Sequence, residues 1–107
     1  MSEVQLDPIR GSETRKTRPC IVISSDAMGI LPIKLIVPLT EWNDNYSNKP
    51  WIVFVAASVQ NGLLKTSAAE TLQTKAAALE RFSSKLGRLE DDVLQNVIQA
   101  LCLLVEA

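Results

Sequence analysis

The chain has 107 residues, 47% of them hydrophobic and 21% charged, which is a composition typical of a soluble globular domain. This length predicts a single domain over residues 1–107 with one hydrophobic core. The formal net charge of −1 argues against a protein that binds nucleic acid through a broad basic surface. The sequence contains no histidine, which excludes imidazole acid–base pairs, histidine-ligated zinc and nucleophiles activated by histidine.

Targeting and redox features predict a cytoplasmic location. No apolar run approaches the roughly 20 residues that cross a bilayer, and the N-terminus lacks a basic segment followed by an apolar one. Cys20 and Cys102 lie in apolar patterns without the CxxC spacing of metal or redox sites, so we expect both to be buried, reduced thiols. We therefore predict a cytoplasmic protein with no membrane partner.

One segment, residues 10–18, is strongly basic in a chain that is otherwise acidic. Its charged side chains are Arg10, Glu13, Arg15, Lys16 and Arg18. Four cations and one anion give the segment a charge of +3, which leaves −4 for the rest of the chain. A guanidinium presents a planar fork of donors to a phosphate and stays charged. The segment therefore predicts a local site for an anionic ligand.

Four strands are predicted in the first half of the chain from alternating or β-branched apolar residues. They are Glu3–Leu6, Cys20–Ser24, Ile33–Val37 and Trp51–Val55. The third strand is closed by Pro38-Leu39-Thr40, and the polar residues 41–50, which include three asparagines, predict a surface loop. Asn61-Gly62 predicts a tight turn.

The second half of the chain contains one ambiguous segment and one clear helix. Residues 65–75 stay ambiguous, because serine and threonine favour extended structure, whereas Ala76–Phe82 favours a short helix. Leu89–Val105 predicts a longer helix with three acidic residues at its positive N-terminal end. Its predicted apolar stripe consists of Val93, Val97, Ile98, Leu101, Leu104 and Val105. Short strands followed by an amphipathic helix predict a mainly β, α+β fold, with a small curled sheet or barrel packed by helices.

Several sequence blocks resemble the MazF/PemK family of small toxins, which are ribosome-independent endoribonucleases of toxin–antitoxin systems. Asp-Pro-Ile-Arg-Gly-Ser-Glu at residues 7–13 and Lys-Thr-Arg-Pro at 16–19, before an apolar strand, resemble the family's opening signature. Val37–Thr40 and Arg81–Leu89 resemble two further blocks. The resemblance spans nearly the whole chain and implies an SH3-like, PemK-like β-barrel with a C-terminal amphipathic helix, usually assembled as a homodimer.

The resemblance also implies an activity and its partners. The family cleaves single-stranded mRNA at short motifs without a metal, by attack of the 2′-hydroxyl, and leaves a 2′,3′-cyclic phosphate and a 5′-hydroxyl. We therefore expect a sequence-specific endoribonuclease that uses no cofactor and no metal. Its expected partners are single-stranded RNA, a second copy of the chain, and a cognate MazE-like antitoxin whose acidic, flexible tail covers the basic groove.

Two residues match catalytic positions of the family, Arg18 and Thr40. By this resemblance, Arg18 would stabilise the charge of the phosphorane-like transition state and donate to the leaving oxygen, because arginine is a poor base. Thr40 would donate to the scissile phosphate. From the residues alone, Arg18 could equally be a solvated arginine before a strand proline, and Thr40 a hydroxyl that satisfies a nearby backbone group.

Six further residues are candidate RNA-binding side chains: Ser12, Glu13, Arg15, Lys16, Gln73 and Lys75. The two cations before Arg18 would add phosphate contacts, which raise affinity and salt dependence without selecting sequence. Glu13 could instead pair with a neighbouring arginine or act as the base that the reaction needs. Gln73 and Lys75 match a weaker block of the family, and Gln73 is either a solvated strand residue or a contact to a base edge.

Two aromatic residues, Trp42 and Tyr46, follow Thr40 in the predicted surface loop. Aromatic side chains at such a position can pack as a lid or can stack on unpaired bases, and their spacing does not distinguish the two. We assign Trp51 to the core or to a dimer interface.

Two alternatives keep a similar fold but not the same activity. A weakened or inactive module that binds RNA or protein is motivated by the short first strand and by Leu72, which stands where some family members carry an acidic residue that takes part in cleavage. A gyrase poison that resembles CcdB is disfavoured, because the chain ends in Leu-Leu-Val-Glu-Ala rather than in aromatic residues.

Overall fold

A seven-stranded antiparallel sheet and a C-terminal helix make up most of the described structure. The computed structural model describes residues 1–6, 17–24 and 32–105. In these ranges the strands and the helix are β1 (Ser2–Gln5), β2 (Thr17–Val22), β3 (Ile33–Glu41), β4 (Ile52–Val55), β5 (Ser67–Glu70), β6 (Lys75–Ala78), β7 (Phe82–Lys85) and α1 (Asp91–Val105). Short 3-10 helices occupy Asp44–Tyr46, Thr71–Gln73 and Leu79–Arg81. The predicted mainly β fold with a C-terminal helix is confirmed.

The central strand is β3, which pairs with three neighbours. The strand order is β4-β5-β3-β2-β1-β7, and β6 pairs with the remaining part of β3. β2 pairs along one edge of β3, whereas β6 and β5 follow each other along the other edge, opposite Ile33–Ile36 and Leu39–Glu41. Within the described ranges β4 and β7 do not pair with each other, so the sheet stays open instead of closing into a complete barrel.

A proline explains why β5 and β6 are separate strands. Pro38 lies between the two segments of β3 that pair with β5 and β6. The carbonyl of Leu35 accepts from the backbone N–H of Ile23 and so points toward β2. Because successive residues of a strand point to opposite edges, the nitrogen of Pro38 points toward β5 and β6. Proline has no N–H to donate to that edge. The facing chain leaves the ladder as the 3-10 helix Thr71–Gln73 and rejoins it as β6. The detour therefore follows from the chemistry of one residue.

The two faces of the sheet carry separate apolar clusters. The larger cluster packs against α1, and six of its residues are at most 1% exposed: Ile21, Val37, Leu39, Val55, Ala69 and Val97. The smaller cluster, on the opposite face, consists of Val4, Cys20, Ile36 and Ala77. Because side chains alternate along a strand, Arg18 and Thr40 point to the face of the smaller cluster. The helix covers one face, and the side chains of Arg18 and Thr40 start from the other.

A buried polar network joins the β4–β5 connection to the start of α1. Asn61 is fully buried, and its Nδ2 donates to Glu90 Oε1 at 3.0 Å and to the carbonyl of Ala56 at 2.9 Å. Its Oδ1 accepts from the backbone N–H groups of Ser58 and Leu63, both at 3.0 Å. Ser58 Oγ donates to Glu90 Oε2 at 2.6 Å, and this hydrogen bond is the main reason that the pKa of Glu90 lies below its ordinary value.

Gly62 completes the predicted turn after Asn61. Its φ of 75° lies in the left-handed region that favours glycine. A Cβ at this position would lie 2.1 Å from the backbone oxygen of Leu86, so the chain also approaches too closely for a side chain. The turn prediction at Asn61-Gly62 is therefore confirmed.

The predicted helix over Ala76–Phe82 is wrong. The segment contains most of β6, a 3-10 helix and the first residue of β7. Lys75–Ala78 pairs with Ile33–Ile36 of β3, and Phe82 pairs with Val4 of β1. Pairing with two distant strands outweighs the helix propensity of alanine, which amounts to less than about 1 kcal/mol per residue.

The strands β2 and β3 are longer than the sequence predicts. β2 begins at Thr17 and includes Pro19, and β3 continues through Pro38 to Glu41. Arg18 and Thr40 therefore lie within strands and not in a loop or at a strand end. Both side chains are positioned by the rigid part of the fold.

The helix α1 begins two residues after its predicted start, and its predicted apolar stripe is only partly buried. Val97 is fully buried and Ala100 is 4% exposed. Ile98, Leu104 and Val105 are 39%, 37% and 73% exposed. The face of the helix that is buried against the sheet is therefore narrower than the predicted apolar stripe. No helix in the described ranges is both long and apolar enough to cross a membrane.

Candidate functional site

Pro19 opens a gap between β2 and β3. The two strands pair over Cys20–Val22 and Ile36–Pro38. In this register the next hydrogen-bonded pair would join Pro19 to Leu39, but a proline has no N–H to donate. The ladder with β3 stops there, while β2 continues in its pairing with β1. The gap is therefore the consequence of an imino acid inside a strand.

Arg18 and Thr40 lie on opposite sides of this gap. Extended by two residues, the register of β2 and β3 places them directly across from each other, with both side chains on the same face. Both line a cleft of about 380 Å³, together with Pro19 and Leu39. The apolar part of the cleft includes Leu63, Leu64 and Leu86. The guanidinium and the hydroxyl that the sequence predicts as catalytic are thus brought to one cleft.

Arg18 forms an ion pair with Glu70. Arg18 Nη1 lies 3.7 Å from Glu70 Oε2, and the two side chains are 48% and 27% exposed. A pair that is this well solvated contributes about 0–1 kcal/mol to stability. Its effect on the site is orientation, because Glu70 is the last residue of β5 and stands where the chain turns away from β3. The carboxylate fixes one side of the guanidinium and leaves other donors available.

A second pocket, of about 310 Å³, is also lined by Arg18. Glu70, Gln73 and Lys75 contribute to it, with Thr17, Pro38 and Leu6. Gln73 and Lys75 are both exposed, the first in the 3-10 helix after β5 and the second at the start of β6. Two cations, Arg18 and Lys75, therefore face one polar pocket, which suits an anionic group such as a phosphate.

The structure brings four of the eight predicted site residues together. Arg18, Thr40, Gln73 and Lys75 line two pockets that share Arg18. The other four, Ser12, Glu13, Arg15 and Lys16, lie outside the described residues. The catalytic or RNA-binding roles of all eight stay predictions.

The sequence analysis missed Glu70. Its signal was a single carboxylate at the end of the otherwise small and apolar stretch Ser67–Glu70. Glu13 is the carboxylate closer to Arg18 in sequence, whereas the contact with Glu70 depends on the register across β3. Leu72, which motivates the alternative of a weakened enzyme, is 59% exposed and lines neither of the two pockets.

Cys20 follows Arg18 by two residues, but its thiol is not a candidate nucleophile. The side chain is fully buried, and burial raises its pKa to about 12 although the charge of Arg18 acts in the opposite direction. A thiol with such a pKa is protonated at neutral pH and unreactive. Cys102 is exposed on α1, so the prediction of buried thiols is confirmed for Cys20 and wrong for Cys102.

Comparison with known protein families and sequences gives two findings. The family model of the PemK-like, MazF-like toxin of type II toxin–antitoxin systems matches residues 2–105. The Endoribonuclease MazF9 of Mycobacterium tuberculosis is 31% identical over an alignment of 105 residues, and the match covers 92% of this chain and 86% of that protein.

Solved structures share the fold. The toxin MazF-mt6 of M. tuberculosis has a TM-score of 0.77 at 20% identity, with 98% of this chain and 94% of that chain covered. A chain of the MazE–MazF crystal structure from Deinococcus radiodurans has a TM-score of 0.77 at 21% identity, with 98% of this chain and 90% of that chain covered. Because the family model spans almost the whole chain, this protein belongs to the PemK-like, MazF-like toxin family of type II toxin–antitoxin systems.

Proposed function

We propose that this protein is a sequence-specific endoribonuclease, the toxin of a type II toxin–antitoxin pair, and that it cleaves single-stranded mRNA without a metal or cofactor. The observation that carries the proposal is the cleft shared by Arg18 and Thr40, whose side chains come from two strands held apart by Pro19. The activity in the name of the relative, Endoribonuclease MazF9, supports the same conclusion.

The proposed reaction is a transesterification in which the RNA supplies its own nucleophile. The 2′-oxygen attacks the adjacent phosphorus and its proton passes to a base. The bond between phosphorus and the 5′-oxygen breaks as that oxygen receives a proton. The products are a 2′,3′-cyclic phosphate and a 5′-hydroxyl. Such a step needs a base, an acid and donors at the phosphoryl oxygens.

Three side chains meet these needs. Arg18 presents several N–H donors to the phosphoryl oxygens, neutralises the negative charge that grows in the transition state, and donates to the leaving oxygen. Thr40 donates its hydroxyl to a phosphoryl oxygen from the opposite side of the cleft. Glu70, whose carboxylate lies 3.7 Å from Arg18 Nη1, orients the guanidinium and accepts the proton of the 2′-hydroxyl.

The proposed RNA path continues from Arg18 into the second pocket. Lys75 contacts a phosphate next to the scissile one, and Gln73 contacts the edge of an unpaired base. The same proposal gives contacts with the RNA to four side chains before β2: Ser12, Glu13, Arg15 and Lys16. Phosphate contacts of this kind hold the strand, whereas base contacts select the motif.

We further propose that the protein acts in the cytoplasm as a homodimer and is inhibited by a cognate MazE-like antitoxin. Related chains were solved as a MazE–MazF structure and as an endoribonuclease in complex with its cognate antitoxin, which supports this partner. An acidic antitoxin segment would compete with RNA for Arg18 and Lys75, because both ligands are anionic.

The direct test is digestion of a long single-stranded RNA in EDTA, followed by mapping of the fragment ends. We expect discrete fragments that share a short motif and end in a cyclic phosphate and a 5′-hydroxyl. Arg18→Ala should abolish them. Arg88→Ala is the matched control, since Arg88 is an exposed arginine paired with Asp91 at 3.8 Å on the helix side.

Three other outcomes would contradict the proposal. Equal cutting by the Arg18→Ala protein would reject the role of that arginine. RNA that is bound but never cut would support a catalytically inactive binding module. Inhibition of gyrase without RNA cleavage would support a poison similar to CcdB.

A further inference from the structure

An aromatic cluster stands beside the cleft of Arg18 and Thr40. Trp42 lies at its centre, and its ring meets those of Phe54 and Tyr46 edge-on, with centroid distances of 5.1 and 5.8 Å. Phe54 is 50% exposed, although its strand neighbours on β4 are buried against the core. A half-exposed ring in the middle of a strand has no role in the packing of either apolar cluster.

The sheet register places Phe54 in line with Thr40. Thr40 pairs with Ala68, and Ala68 pairs with Phe54, so the three residues form one row across β3, β5 and β4. Residues of one row share a face, and two strand spacings separate the ends of the row by roughly 10 Å. Trp42 lies two residues beyond Thr40, and its backbone N–H donates to the carbonyl of Thr66 at 3.1 Å. This hydrogen bond continues the pairing of the two chain segments, so the side chain of Trp42 lies on the same face as that of Thr40.

The cluster is held in place without a ligand. Trp42 Nε1 donates to Asp44 Oδ1 at 3.2 Å, and the N–H of Tyr46 donates to the carbonyl of Asn43 at 2.9 Å. Lys49 Nζ lies 5.8 Å from the centroid of the Tyr46 ring, within the range of a cation–π contact. The ring of Tyr46 is thus engaged in contacts within the loop, and the ring of Trp42 is fixed. The ring of Phe54 stays exposed in a defined orientation. Preorganised rings lose little entropy on binding.

We propose that Phe54, supported by Trp42, is a stacking platform for an unpaired base of the RNA strand that leaves the cleft of Arg18 and Thr40. The inference rests on the proposed ribonuclease function, which brings single-stranded RNA to this face. A strand anchored by its phosphate at Thr40 runs onto the neighbouring surface, and the row to Phe54 is that surface. Every base has a π face, so the platform adds affinity without selecting sequence.

A base fits this surface better than an apolar protein segment. Phe54 is the one ring of the cluster that is classed as exposed, and the loop beside it carries the polar and charged side chains of Asn43, Asp44 and Lys49. A protein anchor is normally buried in a well-packed pocket surrounded by other contacts. One exposed ring face instead matches the area of one nucleobase.

The test separates base stacking from phosphate binding. The first probe is a single-stranded RNA oligonucleotide with 2′-O-methyl groups, which lacks the attacking hydroxyl and is bound without being cut. The second probe has the same sugar–phosphate backbone but carries no bases. Phe54→Ala should weaken binding of the first probe roughly 5- to 150-fold and change binding of the second by less than about twofold.

Two variants and one reporter make the result specific. Leu103→Ala removes another exposed apolar side chain, on α1, and should change the affinity for neither probe. Phe54→Thr keeps the β propensity of the strand and should change the binding of the two probes as Phe54→Ala does. Trp51→Phe leaves Trp42 as the one tryptophan of the two in the chain, and its emission should be quenched by the base-bearing probe but not by the abasic one.

The platform would be overturned by an equal loss of affinity for both probes, or by no loss for either. Unchanged RNA binding together with lost affinity for an acidic antitoxin peptide would also overturn it and assign Phe54 to the antitoxin. The ribonuclease proposal fails separately. Base-dependent binding at Phe54 without cleavage of unmodified RNA would reject the activity and keep the platform.

Discussion

The guanidinium of Arg18 and the carboxylate of Glu70 meet across the central strand of the sheet, with 3.7 Å between Nη1 and Oε2. Arg18 belongs to β2 and Glu70 to β5, and the strand between them is β3, which carries Thr40. One strand therefore separates the two members of the pair. Pro19 and Pro38 interrupt the hydrogen bonding between that strand and its neighbours on either side. The pair places a cation and a carboxylate at the second pocket, which shares Arg18 with the cleft of Thr40.

Glu70→Gln should lower kcat for RNA cleavage by about 10²- to 10⁴-fold, the range expected when a general base is removed. RNA affinity should not fall, because the change removes a negative charge and keeps the size of the side chain. Single-turnover cleavage and binding to uncleavable RNA measure the two quantities separately. Glu80→Gln, at an exposed carboxylate of a 3-10 helix, is the control. An unchanged kcat in Glu70→Gln would remove Glu70 from the mechanism.

Thr40→Val should reduce cleavage by roughly 10- to 150-fold, which corresponds to one lost hydrogen bond to a charged group. The substitution keeps the shape and the β-branched character that the strand needs. Thr40→Ser keeps the hydroxyl and should retain activity within a few-fold. Cleavage rates of both variants on the same RNA provide the measurement. A Thr40→Ser protein that is as slow as Thr40→Val would point to packing rather than to hydrogen bonding.

Lys75→Ala should weaken RNA binding at low salt and make it less dependent on salt. Each phosphate contact to a single strand contributes about 0.7 to the slope of log affinity against log salt concentration. Titration of uncleavable RNA at several salt concentrations should therefore show a slope reduced by that amount. Lys85→Ala, at an exposed lysine of β7, should leave the slope unchanged. Equal slopes for Lys75→Ala and the unmodified protein would place Lys75 outside the RNA path.

Glu90 makes part of the folding stability dependent on pH. Its pKa in the folded protein lies below the ordinary value of 4.5, mainly because of the hydrogen bond from Ser58. Its contribution is therefore fully present above about pH 4.5 and is lost as the pH falls through the folded pKa. In urea unfolding, Glu90→Gln should be less stable than the unmodified protein near neutral pH, and the difference should shrink in acid. A difference that stays constant would contradict this, and Glu80→Gln serves as the reference.

The two thiols should differ in reactivity. Burial raises the pKa of Cys20 to about 12, whereas Cys102 is exposed on α1. A thiol reagent at mildly alkaline pH should modify one thiol per chain in the native protein and two after unfolding. The Cys102→Ser protein should not react until it unfolds. Reaction of native Cys102→Ser at a rate close to that of an exposed thiol would show that the β2 strand opens readily.

The sequence pattern within a segment was sufficient to predict the elements whose own residues strongly favour one secondary structure. Trp51–Val55 is rich in β-branched and aromatic residues, and the observed strand begins one residue later. The acidic start and long apolar repeat of α1 placed that helix within two residues of its true start. The alanines after Lys75 carry no such signal, because what makes them a strand is their pairing with Ile33–Ile36.

Part of the site could be predicted from the sequence. The choice of Arg18 and Thr40 came from the family resemblance, and their shared cleft follows from the register of β2 and β3. Glu70 was not predictable, because its contact with Arg18 depends on how the chain turns away from Pro38. Phe54 was predicted only as part of a strand, because a continuous run of β-branched and aromatic residues does not show which side chains of an edge strand stay exposed.

The first and last strands of the sheet are neighbours, and this has a consequence during protein synthesis. Val4 pairs with Phe82, and Ser83 Oγ donates to the carbonyl of Glu3, 80 residues earlier. β1 is also a partner of β2, the strand that carries Arg18. A nascent chain cannot complete that part of the sheet until β7 has emerged. The first strand, which lies beside the strand of Arg18, therefore gains its second partner only when most of the chain has been synthesised.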